Sequence, residues 1–329
     1  MTKRRNYQMS KAGWAYTVVL IGLIVTCVIA LMCGVTFYTP TQIWQAFSGQ
    51  RPAILNNILT FRLSRIIASM VGGGVLAVAG ALSQSVFRNR LADPTILGVT
   101  SAGDLFILLG GFVLPALPFE KLVLALLGGA VALALLTNRR TLSQPYMLII
   151  VGVALNLTFQ GFNTLFTQGI SVTSDTSLNG ITWSSTLMLL LVGCVGLILA
   201  LILSPWANNL KLSDEQLMTV GIPVKTMRVG LLALVAFLSA TVTSVLGTIP
   251  FVGIIVPNVA RKLVGHDYQT LIPFSLLSGA WLLLICDTVG RLIILPSELP
   301  VATLMTVIGG PFLIWLVLKG GLGRGTETR

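Results

Sequence analysis

Long apolar runs recur along almost the whole chain, separated by short polar connections, and they decide most of what this sequence can become. A helix that crosses the hydrocarbon core of a bilayer needs about 20 mostly apolar residues. Windows of that kind fall near residues 13–35, 63–86, 96–114, 121–136, 146–166, 186–204, 229–248, 250–264, 270–291 and 299–318. The fourth and eighth are short, and Pro250 and Pro257 interrupt the eighth. A chain that is 55% hydrophobic and 9% charged cannot hide this surface in a soluble core, since ordinary globular domains carry about 25% charged residues. The predicted fold class is therefore all-α: a polytopic membrane protein of about ten transmembrane helices, forming one domain over residues 1–329. The basic head MTKRRNYQMSK precedes an apolar run longer than the roughly 7–15 residues of a signal-peptide core, so a retained first span is expected.

The formal charge of +11 does not point to nucleic acid, because its placement has a simpler cause. With the N-terminus in the cytoplasm, the inner side collects Lys3, Arg4, Arg5, Lys11, Arg88, Arg90, Arg139, Arg140, Lys211, Lys225, Arg228, Arg261, Lys262, Lys319, Arg324 and Arg329. The outer side keeps only Arg51, Arg62, Arg65, Lys121 and Arg291. Cytoplasmic loops of membrane proteins carry the excess of Lys and Arg, so both termini are predicted to be cytoplasmic. On this topology the stretch LKLSDEQLMTVGIPVKTMRVG, residues 210–230, lies in the cytoplasm between the sixth and seventh spans. It carries both signs of charge and could not sit in lipid. Ser213 followed by Asp214, Glu215 and Gln216 is an N-cap with acids in the first turn. Leu217, Met218 and Val220 offer apolar contacts, Gly221 ends the helix and Pro223 starts the next.

Inside the spans the polar residues are few. Gly73, Ala77 and Ala81 repeat at intervals of four and give one smooth face, as close helix crossings require. Asn156, Gln160 and Asn163 share a face of the fifth span, which must meet either water or another helix. Asp104 and Asp287 are the carboxylates inside spans, either proton carriers or satisfied structural acids. Cys27, Cys33, Cys194 and Cys286 lie in or beside apolar runs without metal-ligand spacing and read as packing residues. His266, the one histidine, stands in a VGHDYQ turn and reads as a solvated residue. No G-x-x-x-x-G-K-[ST] phosphate cradle occurs, so any ATP hydrolysis must come from a partner. No H-E-x-x-H or paired-acid constellation supports a membrane-embedded enzyme, and no cofactor or metal is expected. A proton-coupled secondary transporter is the alternative, poorly served by two aspartates near span ends.

Two stretches narrow the class. RLSRIIASMVGGGVLAVAGALSQSVFRNRLADPTILGVTSAG covers residues 62–103, and FVGIIVPNVARKLVGHDYQTLIPFSLLSGAWLLLICDTVGRL covers 251–292, followed by ELPVATLMTVIGGPFLIWLVLKG. Both resemble the permease family of ABC importers for ferric siderophores, haem and cobalamin, and the resemblance extends over essentially the whole chain. The chain departs from that family with Asn89-Arg90-Leu91-Ala92 in place of Asn-Pro-Leu-Ala, and with Pro257-Asn258 in place of Pro-His. The resemblance implies cytoplasmic ATPase subunits, an extracytoplasmic substrate-binding protein and a second permease chain, identical or paralogous, as partners. It implies that the segment near 205–228 forms two short helices seated in a groove of the ATPase, with Ser213, Asp214, Glu215, Met218 and Gly221 carrying the contact. It places Asn89 and Leu91 in an inner gate loop. It implies that Arg62, Arg65 and Arg291 receive acidic residues from the substrate-binding protein, a cluster read as exposed at the outer surface. The cargo it implies is a ferric siderophore, then haem, then cobalamin.

Overall fold

The computed structural model describes residues 2–34, 36–113, 119–137, 141–142, 145–167, 178, 180–294 and 297–319. Among them every regular element is helical. Helix α1 spans Thr2–Met32, followed by the short α2 (Pro40–Phe47) and α3 (Pro52–Asn57). A π-helical turn at Ile58–Leu63 carries α3 without a break into α4 (Ser64–Val86). Then come α5 (Val99–Val113), α6 (Glu120–Leu136), α7 (Pro145–Thr167) and α8 (Trp183–Ile202). Two short helices, α9 (Ser204–Asn209) and α10 (Asp214–Thr219), precede α11 (Val224–Leu246), α12 (Val252–Val264), α13 (Tyr268–Ile293) and α14 (Val301–Leu318).

Seven of these helices are long and apolar enough to cross a membrane. The other three that fall in the apolar windows, α5, α6 and α12, have 15, 17 and 13 residues. At 1.5 Å per residue they reach about 20–26 Å, short of the ~30 Å hydrocarbon core. A short 3-10 turn at Pro94–Leu97 leads into α5, and residues 247–250, outside any helix, lead into α12, so chain that is not α-helical adjoins both short helices.

Helix α4 is the centre of the fold. The hydrophobic window within Pro52–Val86 is 83% buried, against 17% for that of α1. Side chains such as Ile21, Ile24 and Val28 of α1 therefore face outward, toward lipid. What lets neighbours come so close to α4 is its run of small residues. A Cβ on Gly73 would overlap the Gly279 carbonyl oxygen of α13, and one on Gly80 would overlap the Gly253 Cα of α12. Gly279 in turn has the Ala77 Cβ in the space its own Cβ would need. Where lipid removes the hydrophobic drive for helix association, such backbone-to-backbone approach supplies the contact energy.

Candidate functional site

The 23 residues of α4 separate two polar ends by about 33 Å. Beyond its C-terminal end lies the segment that carries α9 and α10. Ser213 adopts extended angles and its Oγ accepts from the Gln216 amide at 3.2 Å, while Gln216 Oε1 accepts from the Ser213 amide at 3.1 Å. This reciprocal cap satisfies two amide donors that a helix of six residues would otherwise leave open. Asp214 and Glu215 fill the first turn, and Gly221, at φ +75°, makes the left-handed exit that glycine takes without strain.

The segment is folded onto the rest of the chain, and the three residues expected to offer apolar contacts divide between core and solvent. Leu217 is buried in the core, whereas Leu212 is 50%, Met218 60% and Val220 75% exposed. Asp214 is not free for a partner either. Its Oδ1 accepts from Arg88 Nη2 at 2.7 Å and Arg228 Nη2 at 2.9 Å. Arg228 also donates to the Leu142 carbonyl at 2.6 Å, and Arg88 to the carbonyls of Leu210 and Leu212. Asn208 of α9 donates to Asp267 at 2.7 Å and accepts from the Tyr268 amide, fastening α9 to the start of α13.

Arg88 also opens the adjoining loop, at φ 47° in a conformation costly for a residue with a Cβ. In that loop Asn89 Oδ1 accepts from the Leu91 amide at 2.9 Å, and Asn258 of α12 donates to the Arg90 carbonyl at 2.8 Å. Buried Asp93 caps the turn at Pro94 by accepting from the Thr95 amide and hydroxyl, both at 2.8 Å. Burial pushes the Asp93 carboxyl above the usual carboxylate range, and these hydrogen bonds oppose that shift. Behind the loop, Gln84 donates to the Gly253 carbonyl at 2.8 Å and accepts from Arg261. Sequence reasoning missed this network. The Asp-Pro pair at 93–94 was its one local signal, an N-cap followed by proline at the first helical position. His266 is exposed in its turn; partial burial, then the positive charges of Arg90, Arg261 and Lys211, hold its imidazole below the usual value.

A cavity of about 700 Å³ opens between α5, α6, α7 and α11. Gln160 and Asn163 line it with Ser101, Asp104, Lys121, Thr243 and Thr248; Asn156 is not among its lining residues. Gln160 donates to Asn156 at 3.3 Å, and Asn163 donates to the Ser101 carbonyl of α5 at 3.1 Å. The amide face thus meets both a neighbouring helix and open volume. Asp104 accepts a hydrogen bond from the Thr248 hydroxyl at the cavity wall.

At the opposite end of α4, two of the three arginines expected at an exposed surface, Arg62 and Arg291, are buried, and Arg65 is partly buried. Arg62 is 6% exposed, donates to the carbonyls of Leu31 and Thr36, and lies over the Tyr38 ring at 4.2 Å. Arg65 pairs with Asp287 at 2.8 Å and Glu298 at 2.7 Å, and Arg291 stands 3.2 Å from Asp287. Asp287, fully buried, is a structural acid that ties α4 to α13. The free cationic patch expected there is replaced by an internal ion network, because the one-turn spacing of Asp287 and Arg291 puts both on the α13 face that meets α4.

An all-helical membrane protein with a polar cavity between its helices and a folded arm at one end has the form of a permease. The sequence places it more closely: the chain belongs to the FecCD transport family, which matches residues 22–319. It is 34% identical over 319 residues to the protein described as a probable heme-iron transport system permease, IsdF, of Staphylococcus aureus strains Newman and USA300, covering 96% of this chain and 98% of theirs. A solved inward-facing structure assigned to a metal-chelate type ABC transporter superposes with a TM-score of 0.81 at 28% identity, covering 92% of this chain and 98% of that one. The chain is thus a permease subunit of an ABC transporter and not an enzyme, and ATP hydrolysis belongs to separate subunits.

Proposed function

We propose that this chain is the membrane-spanning subunit of an ATP-driven importer for an iron chelate, crossing the membrane ten times with both termini in the cytoplasm. The observation that carries the proposal is the arm at Ser204–Thr219. It is capped, fastened to α4, α11 and α13, and still presents Leu212, Met218 and Val220 to solvent. Apolar side chains held out on a rigid, charged arm away from the apolar helices suit a groove on a soluble ATPase. A substrate-binding protein meets the opposite end, where Arg65 and Glu298 form the rim of the arginine network, and a second permease chain completes the conduit. Gln160 and Asn163 would line the path, and Asn89 and Leu91 would close it at the cytoplasmic end.

The cargo class is an iron chelate. Haem is supported by the relatives described as a haem-iron permease; a ferric siderophore is supported by the amides and hydroxyls that line the cavity. The proton-coupled alternative loses ground because Asp287 is fully buried and committed to an ion network with Arg65 and Arg291. The test is reconstitution of the tagged chain with its co-purifying ATPase and its receptor in liposomes. ATP-dependent, proton-gradient-independent uptake of radiolabelled iron as haem or as a ferric hydroxamate is expected. Uptake that follows an imposed proton gradient without ATP would overturn the proposal.

A further inference from the structure

Three parts of the chain that sequence separates meet on one carboxylate oxygen. Asp214 Oδ1 takes Arg88 Nη2 at 2.7 Å and Arg228 Nη2 at 2.9 Å. Asp214 opens the exposed arm helix α10; Arg88 joins α4 to the loop that holds Asn89 and Leu91; Arg228 stands in the first turns of α11 and also holds the Leu142 carbonyl. A cap residue needs none of these contacts. Ser213 and Gln216 already complete the cap, so the Asp214 side chain is spare for the helix and committed elsewhere.

We infer that Asp214 is the positioning residue that transmits movement of the arm to the inner gate loop, through Arg88. This deepens the reading of the arm as the ATPase contact and rests on it. On the arm side, Arg88 donates to Leu210, Leu212 and Asp214, so its guanidinium grips the stretch 210–214 at three points. On the gate side, Arg88 sits at φ 47°, and the loop after it is braced by Asn89 on Leu91, Asn258 on Arg90 and Asp93 on Thr95. A braced loop moves as a body about its strained end, so a displacement of α10 reaches Leu91 without loss in a flexible linker. Arg228 is the fixed point: it is 1% exposed and anchored in α11, so Asp214 can turn about it while Arg88 is drawn or released.

Asp214→Asn keeps the shape and removes the charge that both arginines share. In the reconstituted complex of this chain with its ATPase and receptor, the ratio of iron chelate transported to ATP hydrolysed is expected to fall about tenfold, within the usual range for coupling between sites. Asp214→Glu should recover most of that ratio. A second readout separates transmission from mere support: Leu91→Cys in otherwise wild-type protein should change its reactivity to a water-soluble thiol reagent when ATP is trapped, and should not in the Asp214→Asn background. Arg88→Gln carries the same test if Asp214→Asn does not accumulate, because Asp214 then remains paired with Arg228. An unchanged transport ratio in the variants, or Leu91→Cys labelling that still responds to trapped ATP, would falsify the relay. Wild-type complex that hydrolyses no ATP in response to receptor would instead refute the importer reading beneath it.

Discussion

Replacing Asp287 by Asn tests whether the arginine network is built into the fold or displayed at its surface. The Asp287 side chain is fully buried and accepts from Arg65 Nε at 2.9 Å and Nη2 at 2.8 Å, with Arg291 Nη2 at 3.2 Å. Asparagine fills the same volume but removes the negative charge that two guanidiniums, 12% and 6% exposed, share at this position. Breaking a buried pair from one side costs about 3–5 kcal/mol, since the orphaned charge stays desolvated. At about 2–4 °C per kcal/mol, that corresponds to a fall in Tm of roughly 10 °C. Glu298→Gln should cost no more than about 1 kcal/mol, because Arg65 keeps Asp287 and the Glu298 carboxylate is partly solvated. The double variant Asp287→Asn with Arg291→Gln should recover part of the loss, as contacting sites are not additive. The assay is thermal unfolding of the purified protein in detergent, followed by tryptophan fluorescence at low and high salt. Buried pairs are screened little, so the Asp287→Asn deficit should persist in salt. Equal, small, salt-sensitive shifts for Asp287→Asn and Glu298→Gln would show that the network is a surface feature and that the burial argument fails.

Met218→Asp or Gly221→Val should abolish co-purification of the ATPase while the protein still inserts; Met218 is exposed, and Gly221 has open space but a φ of +75° that valine resists, so neither change should disturb the core. Cysteines at 160 and 163 should label with water-soluble thiol reagents faster than a cysteine at 156, since Gln160 and Asn163 line the cavity and Asn156 does not; equal rates at all three would place the open face elsewhere. Asp267 accepts from the Gln269 amide and from Asn208, which holds its carboxyl below the ordinary 3.8. Its unfolded form therefore binds the proton first, so its stabilising contribution is full above the ordinary value and fades as pH falls through the lower folded one. Asp267→Asn, still able to cap α13, should flatten acid unfolding below about pH 4, measured as midpoint against pH.

How much of this was legible follows the distance between partners. The cap at Ser213 needs only Gln216, three residues on, so residue identity and spacing revealed it before any fold was known. The small residues of α4 announced close packing, but which helices approach depends on Gly253 and Gly279, far along the chain, and no periodicity names them. Two of the three short helices, α5 and α12, illustrate a different limit. Apolar windows count residues that can sit in lipid, whether helical or not, and the windows that hold α5 and α12 also take in chain that is not α-helical.

The arginines show why charge is the hardest quantity to place from sequence. A cation at a span end can snorkel to water, meet a partner protein, or close an ion pair inside its own chain, and all three satisfy the same pattern. Which one occurs is settled by a carboxylate that need not be near in sequence. Arg65 finds Asp287 222 residues away, and Arg88 finds Asp214 126 residues away. The cationic bias from which an orientation was expected therefore overstates the free charge the chain shows to solvent. Arg88, Arg228 and Arg261, all counted toward the inner face, are spent on Leu210, Asp214, Leu142 and Gln84. A charge-count argument for lipid or partner binding at that end must start from the lysines left over, such as Lys262 and Lys319, which converge on the ring of Trp315 at 4.3 and 4.8 Å.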